Sequence, residues 1–150
     1  MTNAGNGKTW KASWLLVVVA ALVVPGVAAA DVFRWNATGG GDWNDPTKWT
    51  LISGTSGRTY PNDATDVAQF YDSITADSVV NVNGTYTVKD IRFDLTSYHY
   101  TLGGAGQING PPETAGTHLA IYVDNVSSHE ITATLAAPRW RSIYAYPMLA

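Results

Sequence analysis

The chain has 150 residues, 9 basic against 12 acidic side chains, a formal net charge of −3 and no cysteine. Without thiols, disulfide staples, thiolate zinc sites, thiol nucleophiles and thiol redox chemistry are excluded. No basic run exists that would neutralise phosphates, so nucleic acid and anionic lipid are poor partners and none is expected.

Residues 1–30 read as a secretory signal peptide. Lys8 and Lys11 give a positive start, and Trp14 to Val24 is an uncharged apolar stretch of 11 residues. Pro25-Gly26 interrupts any helix, and Val27-Ala28-Ala29-Ala30 supplies small residues for a peptidase cleft. Ala28 and Ala30 fit the A-x-A rule, which places cleavage between Ala30 and Asp31. Cleavage one residue earlier is the near alternative. A membrane-spanning helix needs about 18 to 20 apolar residues, so contact with the membrane is expected only in transit, retention as an N-terminal anchor being the alternative. With Lys8 and Lys11 gone, 7 basic residues face 12 acidic ones in the remainder. The expected location is secreted or cell-surface.

Residues 31–65 read as a Trp/Gly-rich cap. Trp35, Trp43 and Trp49 are separated by Gly39-Gly40-Gly41 and Asn44-Asp45-Pro46. Asp45-Pro46 predicts a turn or a single helical turn, capped by Asp45 with Pro46 first. From Leu51 to Asp63 the chain is loop-like.

Residues 66–136 read as short strands with period-two patterning. Val80 and Val82 alternate with Asn81 and Asn83, Ile91 and Phe93 with Arg92 and Asp94, and Tyr98, Tyr100 and Leu102 with His99 and Thr101. Leu119-Ile121-Val123 and Ile131-Ala133-Leu135 follow. Segments at this spacing, punctuated by Asn83-Gly84, Gly103-Gly104, Gly106 and Asn109-Gly110-Pro111-Pro112, predict an all-β sandwich, barrel or solenoid. Asn83-Gly84 suits either a type I′ hairpin or a solenoid corner.

Taken together, Trp35…Gly39-Gly40-Gly41-Asp42-Trp43…Trp49, then Pro61-x-Asp63-x-x-Asp66-x-Ala68-x-Phe70, Val88-x-x-Ile91-x-Phe93 and Tyr100-Thr101-Leu102-x-Gly104-x-Gly106-x-Ile108 form a pattern that covers about Val32 to Leu135. It resembles the N-terminal portion of bacterial autotransporter-associated β-strand repeat proteins. The resemblance implies the start of a right-handed parallel β-helix behind a Trp-rich N-terminal cap, with a small β-sandwich as the alternative. It also implies a passenger-like role in adhesion or cell-surface architecture. Only one or two rungs of the family's Gly-Thr-Leu-Thr-Leu type are visible. At Ala137-Pro138 the composition changes, and residues 137–150 read as a divergent tail that predicts a truncated or frame-shifted frame, a docking tail being the alternative. A stack this short exposes strand edges, which predicts self-association or marginal stability.

No reaction is expected and no cofactor. Asp63 and Asp66, with Asp72 and Asp77 nearby, offer oxygen atoms to calcium, but their spacing matches no calcium loop and turn capping is the competing role. Asp42 and Asp45 raise the same choice. The two glutamates, Glu113 and Glu130, do not form a recognisable glycosidase pair, although a fragment of a polysaccharide lyase or hydrolase is a further alternative. His99, His118 and His129 share no metal-ligand spacing. Ser127 and Ser128 lack a nucleophile-elbow context, and Gly103-Gly104-x-Gly106 lacks the features of a phosphate loop. The tryptophans carry the remaining choice. Exposed, Trp35, Trp43 and Trp49 would stack on the sugar rings of a surface polysaccharide, making the chain a carbohydrate-binding module. Folded inward, they would close the first rung.

Overall fold

The computed structural model describes Met1, residues 30–112, 117–125 and 128–136, and the backbone of 143–146. The signal-peptide reading therefore falls almost wholly outside the described residues. So do Glu113, Ser127 and most of the 137–150 tail.

The described chain is all-β. Its strands are β1 (Val32–Trp35), β2 (Gly41–Asp42), β3 (Trp49–Ser53), β4 (Val67–Tyr71), β5 (Ser78–Asn81), β6 (Thr85–Thr87) and β7 (Asp90–Asp94). They continue with β8 (Tyr100–Gly103), β9 (Gln107–Asn109), β10 (Ala120–Asp124), β11 (Glu130–Ile131), β12 (Thr134–Ala136) and β13 (Ile143–Tyr146). A single 3-10 turn, Pro46–Lys48, starts as the Asp45-Pro46 pair predicts: the Asp45 carboxylate accepts the Thr47 N–H at 2.9 Å.

Three sheets share the strands. One runs β13-β10-β7-β4-β1-β3, the second β11-β8-β5-β2 and the third β12-β9-β6. From β4 onward the chain visits them in fixed rotation: β4, β5, β6, then β7, β8, β9, then β10, β11, β12. Each strand pairs in parallel with its counterpart from the previous circuit. Among the described residues, antiparallel pairing occurs between β1 and β3.

The alternation in the sequence explains the inward and outward faces. A strand reverses its side chains at every residue, so every second one meets the core. In β5, Ser78 and Val80 are buried while Val79 and Asn81 are exposed. In-register parallel pairing then stacks like on like. Ala68, Ile91, Ile121 and Ile143 align across four strands, and Phe70, Phe93 and Val123 across three. The Phe70 and Phe93 rings stack at 5.3 Å and 22°.

Asn83-Gly84 is a corner and not a hairpin. The strands on either side, β5 and β6, lie in different sheets. A type I′ turn needs positive φ at both central residues, and neither Asn83 nor Gly84 has it. Instead the Val82 and Gly84 carbonyls accept the N–H groups of Gly106 and Gln107 at 2.7 and 2.8 Å. A Cβ on Gly106 would stand 2.3 Å from the Gly84 carbonyl oxygen, so this stacking of corner on corner requires glycine. Gly104 and Gly106 thus serve close backbone approach, to the Val82 and Gly84 carbonyls.

Two boundaries differ from the sequence reading. Among the described residues, parallel pairing joins five strands in the first sheet, four in the second and three in the third, more than the one or two rungs that Gly-Thr-Leu spacing reveals. The tail returns to the sheet: Ile143–Tyr146 pairs in parallel with Ile121–Asp124.

Candidate functional site

The first candidate is the tryptophan cluster. Trp35 and Trp43 are fully buried and Trp49 retains 6% exposure. Every indole N–H is satisfied internally. Trp35 Nε1 donates to the Gly39 carbonyl at 3.1 Å, Trp43 Nε1 to Pro61 at 2.9 Å and Trp49 Nε1 to Trp43 at 2.7 Å. The ring faces meet other rings: Trp43 stacks on Tyr86 at 5.7 Å and 21°, and Trp49 stands edge-on to Trp35 and Phe70 at 5.1 and 5.4 Å. This corrects the expectation of sugar stacking at Trp35, Trp43 and Trp49, because a pyranose has no access to any of these faces. Each indole removes about 150–250 Å² from water, and that burial closes the end of the stack.

The second candidate is a clasp of three carboxylates on one guanidinium. Arg58 meets Asp66 in a fork, with Nη2–Oδ1 at 2.7 Å and Nε–Oδ2 at 3.1 Å, and reaches Asp31 at 3.5 Å and Asp63 at 3.6 Å. Asp31 and Asp66 are fully buried. The Asp31 carboxylate also takes the Thr55 N–H at 3.1 Å and the Ser56 hydroxyl. Burial pulls the Arg58 pKa down, but its bonds to Asp66 and the charges of Asp66, Asp63 and Asp31 outweigh that, and the net shift is upward. Burial pushes the Asp66 carboxyl up, more than Arg58 and the Asn62 N–H pull it down. Because a guanidinium does not deprotonate and meets both carboxylate oxygens, the pair is ionised near neutral pH.

Asp63 and Asp66, the residues that offered themselves to calcium, are therefore engaged by protein groups. Asp63 Oδ1 accepts the Thr65 N–H at 3.0 Å and its hydroxyl at 2.9 Å, an Asx turn. Burial raises its pKa, and those two bonds together with Arg58 hold it below the ordinary value. Asp42 accepts from the Asn81 amide at 2.8 Å, and Asp77 from the His99 N–H at 2.9 Å. Among the described residues, no group of three or more His, Cys, Asp or Glu is arranged to hold a metal ion.

His129 is a packing group. It stacks on Phe93 at 4.3 Å and 12°, extending the Phe70–Phe93 column, and its Nδ1 accepts the Tyr100 N–H at 3.1 Å. That bond requires an unprotonated Nδ1. Burial, with a smaller contribution from His99, lowers the His129 pKa to about 4. His99 points its Nδ1 at the Ser128 carbonyl at 2.5 Å. Burial raises the Tyr100 phenol to about 12, against the bond from Ser73.

The outer face of the six-stranded sheet carries a polar ladder. Arg34 donates to Gln69 Oε1 at 3.1 and 3.3 Å and lies over the Tyr71 ring at 4.5 Å. Two strands on, Arg92 pairs with Asp90 at 2.9 Å and lies over Tyr122 at 5.2 Å. The arginines thus occupy tyrosine faces on this side.

Sequence reasoning missed Arg58 altogether. It sits in a loop with no pattern, and its partners are brought to it only when β1 and β4 pair. Nothing in the sequence pointed to it: the tight approach of Gly54, at φ +116°, to Asp31 shows only in the folded chain. Ala30, on the other side of the expected cleavage point, is exposed. Comparison with protein-family models, curated proteins and solved structures finds no match to this chain.

Proposed function

We propose that the chain is an exported, non-enzymatic structural module: the capped start of a right-handed parallel β-solenoid that serves cell-surface architecture or adhesion in the manner of an autotransporter passenger. The observation that supports it best is the rotation of strands through three sheets with in-register parallel pairing, closed at one end by buried indoles. In such a stack each layer buries its apolar face against the next, and the first layer needs a special cover. Once covered, the other end offers strand edges on which further chain, or a second copy, adds. Side chains of catalytic type are spent on structure: His129 in an aromatic column, Asp66 on Arg58, Asp63 in a turn.

Two measurements test the reading. Expressed with its leader in a bacterium, the chain is expected outside the cytoplasm with Asp31 at its N-terminus; retention inside would defeat export. Thr101 and Glu130 are direct parallel partners across β8 and β11. Cysteines introduced there, into a chain that has none, are expected to oxidise to a disulfide, since in-register neighbours lie within its reach. Failure to cross-link would remove the stack and the function built on it.

A further inference from the structure

The bond that the sequence marks for cleavage joins residues in opposite surroundings. Ala30 is exposed, while Asp31 is fully buried. The Asp31 carbonyl accepts the Val67 N–H at 2.9 Å. Its carboxylate is held by Thr55, Ser56 and Arg58. The fit leaves no slack: a Cβ on Gly54 would lie 1.9 Å from Asp31 Oδ1. Immediately after Asp31 comes β1, which is no edge strand. It runs between β3 and β4, with Phe33 paired to Leu51 on one side and Ala68 on the other.

A peptidase must draw several residues on each side of the bond into its cleft as extended chain. Folded protein is cut by way of its open states, at a rate set by their population. Here the residues after the bond can leave only if two ladders and the Arg58 clasp break together. That is opening of the core, and not fraying of a terminus.

We propose that the Ala30–Asp31 bond is cleavable only before the domain folds, so that the order of the two events decides between release and retention. Cut first, the module is set free. Folded first, it keeps its apolar leader and stays tethered to the membrane. The clasp is the latch on this choice. The inference rests on the reading of residues 1–30 as a leader and adds its control.

The test uses the full chain in detergent micelles with a purified bacterial signal peptidase, following the appearance of an N-terminus at Asp31. Circular dichroism reports whether each sample is folded. The folded chain is expected to be cut at least about 100-fold more slowly than the chain unfolded in urea. Ser56→Ala, which removes one donor to Asp31 and leaves the ladders, is expected to speed cleavage of the folded chain several-fold and to leave the unfolded rate unchanged. Equal rates for folded and unfolded chains would overturn the latch while sparing the leader. No cut before Asp31 in either form would overturn the leader reading, and the latch with it. Should Ser56→Ala fail to fold, the wild-type chain with and without urea still decides.

Discussion

The two ends of the stack are built differently. At the leading end each sheet has its own closure. β3 lies antiparallel along β1, and in the second sheet β2 pairs with β5, the Trp43 N–H after it bonding the Asn81 carbonyl at 2.9 Å. Asn62 Oδ1 takes the Thr87 N–H of the third at 3.0 Å. Trp35, Trp43 and Trp49 fill the space beneath. At the trailing end, Ile121, Val123, Ile131 and Leu135 are only partly buried, whereas Ile91, Phe93, Leu102 and Ile108 one layer earlier have 1% exposure or less. Among the described residues, no strand pairs with the far side of β11, β12 or β13. Parallel layers repeat easily, but stopping them demands irregular sequence. The leading end supplies it, in indoles, glycines and a clasp of charges.

If the leading end carries the stability, damage there should dominate. Trp43→Ala removes a fully buried indole and its bond to Pro61, and is expected to cost about 4 kcal/mol in urea titrations. A cost under about 1 kcal/mol would mean that the indoles do not hold the end shut. Arg58→Gln leaves the Asp31 and Asp66 carboxylates buried without their cation. It is expected to cost about 3 kcal/mol near neutral pH, less than the full penalty of a broken buried pair only if water enters beside the partly exposed Arg58.

The later layers should respond to acid through His129. Its folded pKa of about 4 lies below the ordinary 6.5, so the unfolded chain binds the proton first. Stability is complete above pH 6.5 and falls as pH drops from 6.5 to 4. The expected loss is about 2 kcal/mol, discounted for partial exposure. His129→Gln should flatten that part of the profile, and an unchanged slope would place the acid response elsewhere. The smallest effect is expected at Leu135→Ala, about 1 kcal/mol, since the residue is already partly exposed. Sizing across a concentration series sharpens the same comparison. Self-association that disappears on placing lysine at Leu135 or Ile131 would assign the contact to the trailing end. A monomer at all concentrations would show that this end is closed too.

Much of the fold was legible because alternation is a local property. Val80, Val82, Tyr86, Val88, Ile91, Phe93, Tyr100 and Leu102 all lie inside, as their period-two spacing predicts. The Asn83-Gly84 pair was ambiguous because hairpin and corner ask for the same residues, and the difference lies in which distant strand accepts the neighbours' hydrogen bonds. The direction of the indoles was open for a like reason. A tryptophan beside glycines suits both a sugar platform and a lid, until Pro61 and Gly39 are found to take the N–H groups. The boundary drawn at 137 followed composition, yet parallel pairing to Ile121–Asp124 asks little more of Ile143–Tyr146 than extended backbone. The Arg58 clasp was invisible, since it joins residues whose meeting depends on the fold itself.

The grouping of indoles has an optical consequence. Of the six tryptophans, Trp10, Trp14 and Trp140 lie outside the described residues, and Trp49 stands 5.1 Å from Trp35 and 5.2 Å from Trp43. In a chain cleaved between Ala30 and Asp31, as proposed above, three of the four remaining indoles are Trp35, Trp43 and Trp49, and fluorescence is weighted towards their end. Its red shift on denaturation reports the opening of that extremity, while the amide signal reports the entire stack. Any gap between the two transitions measures how far the lid comes loose before the layers part.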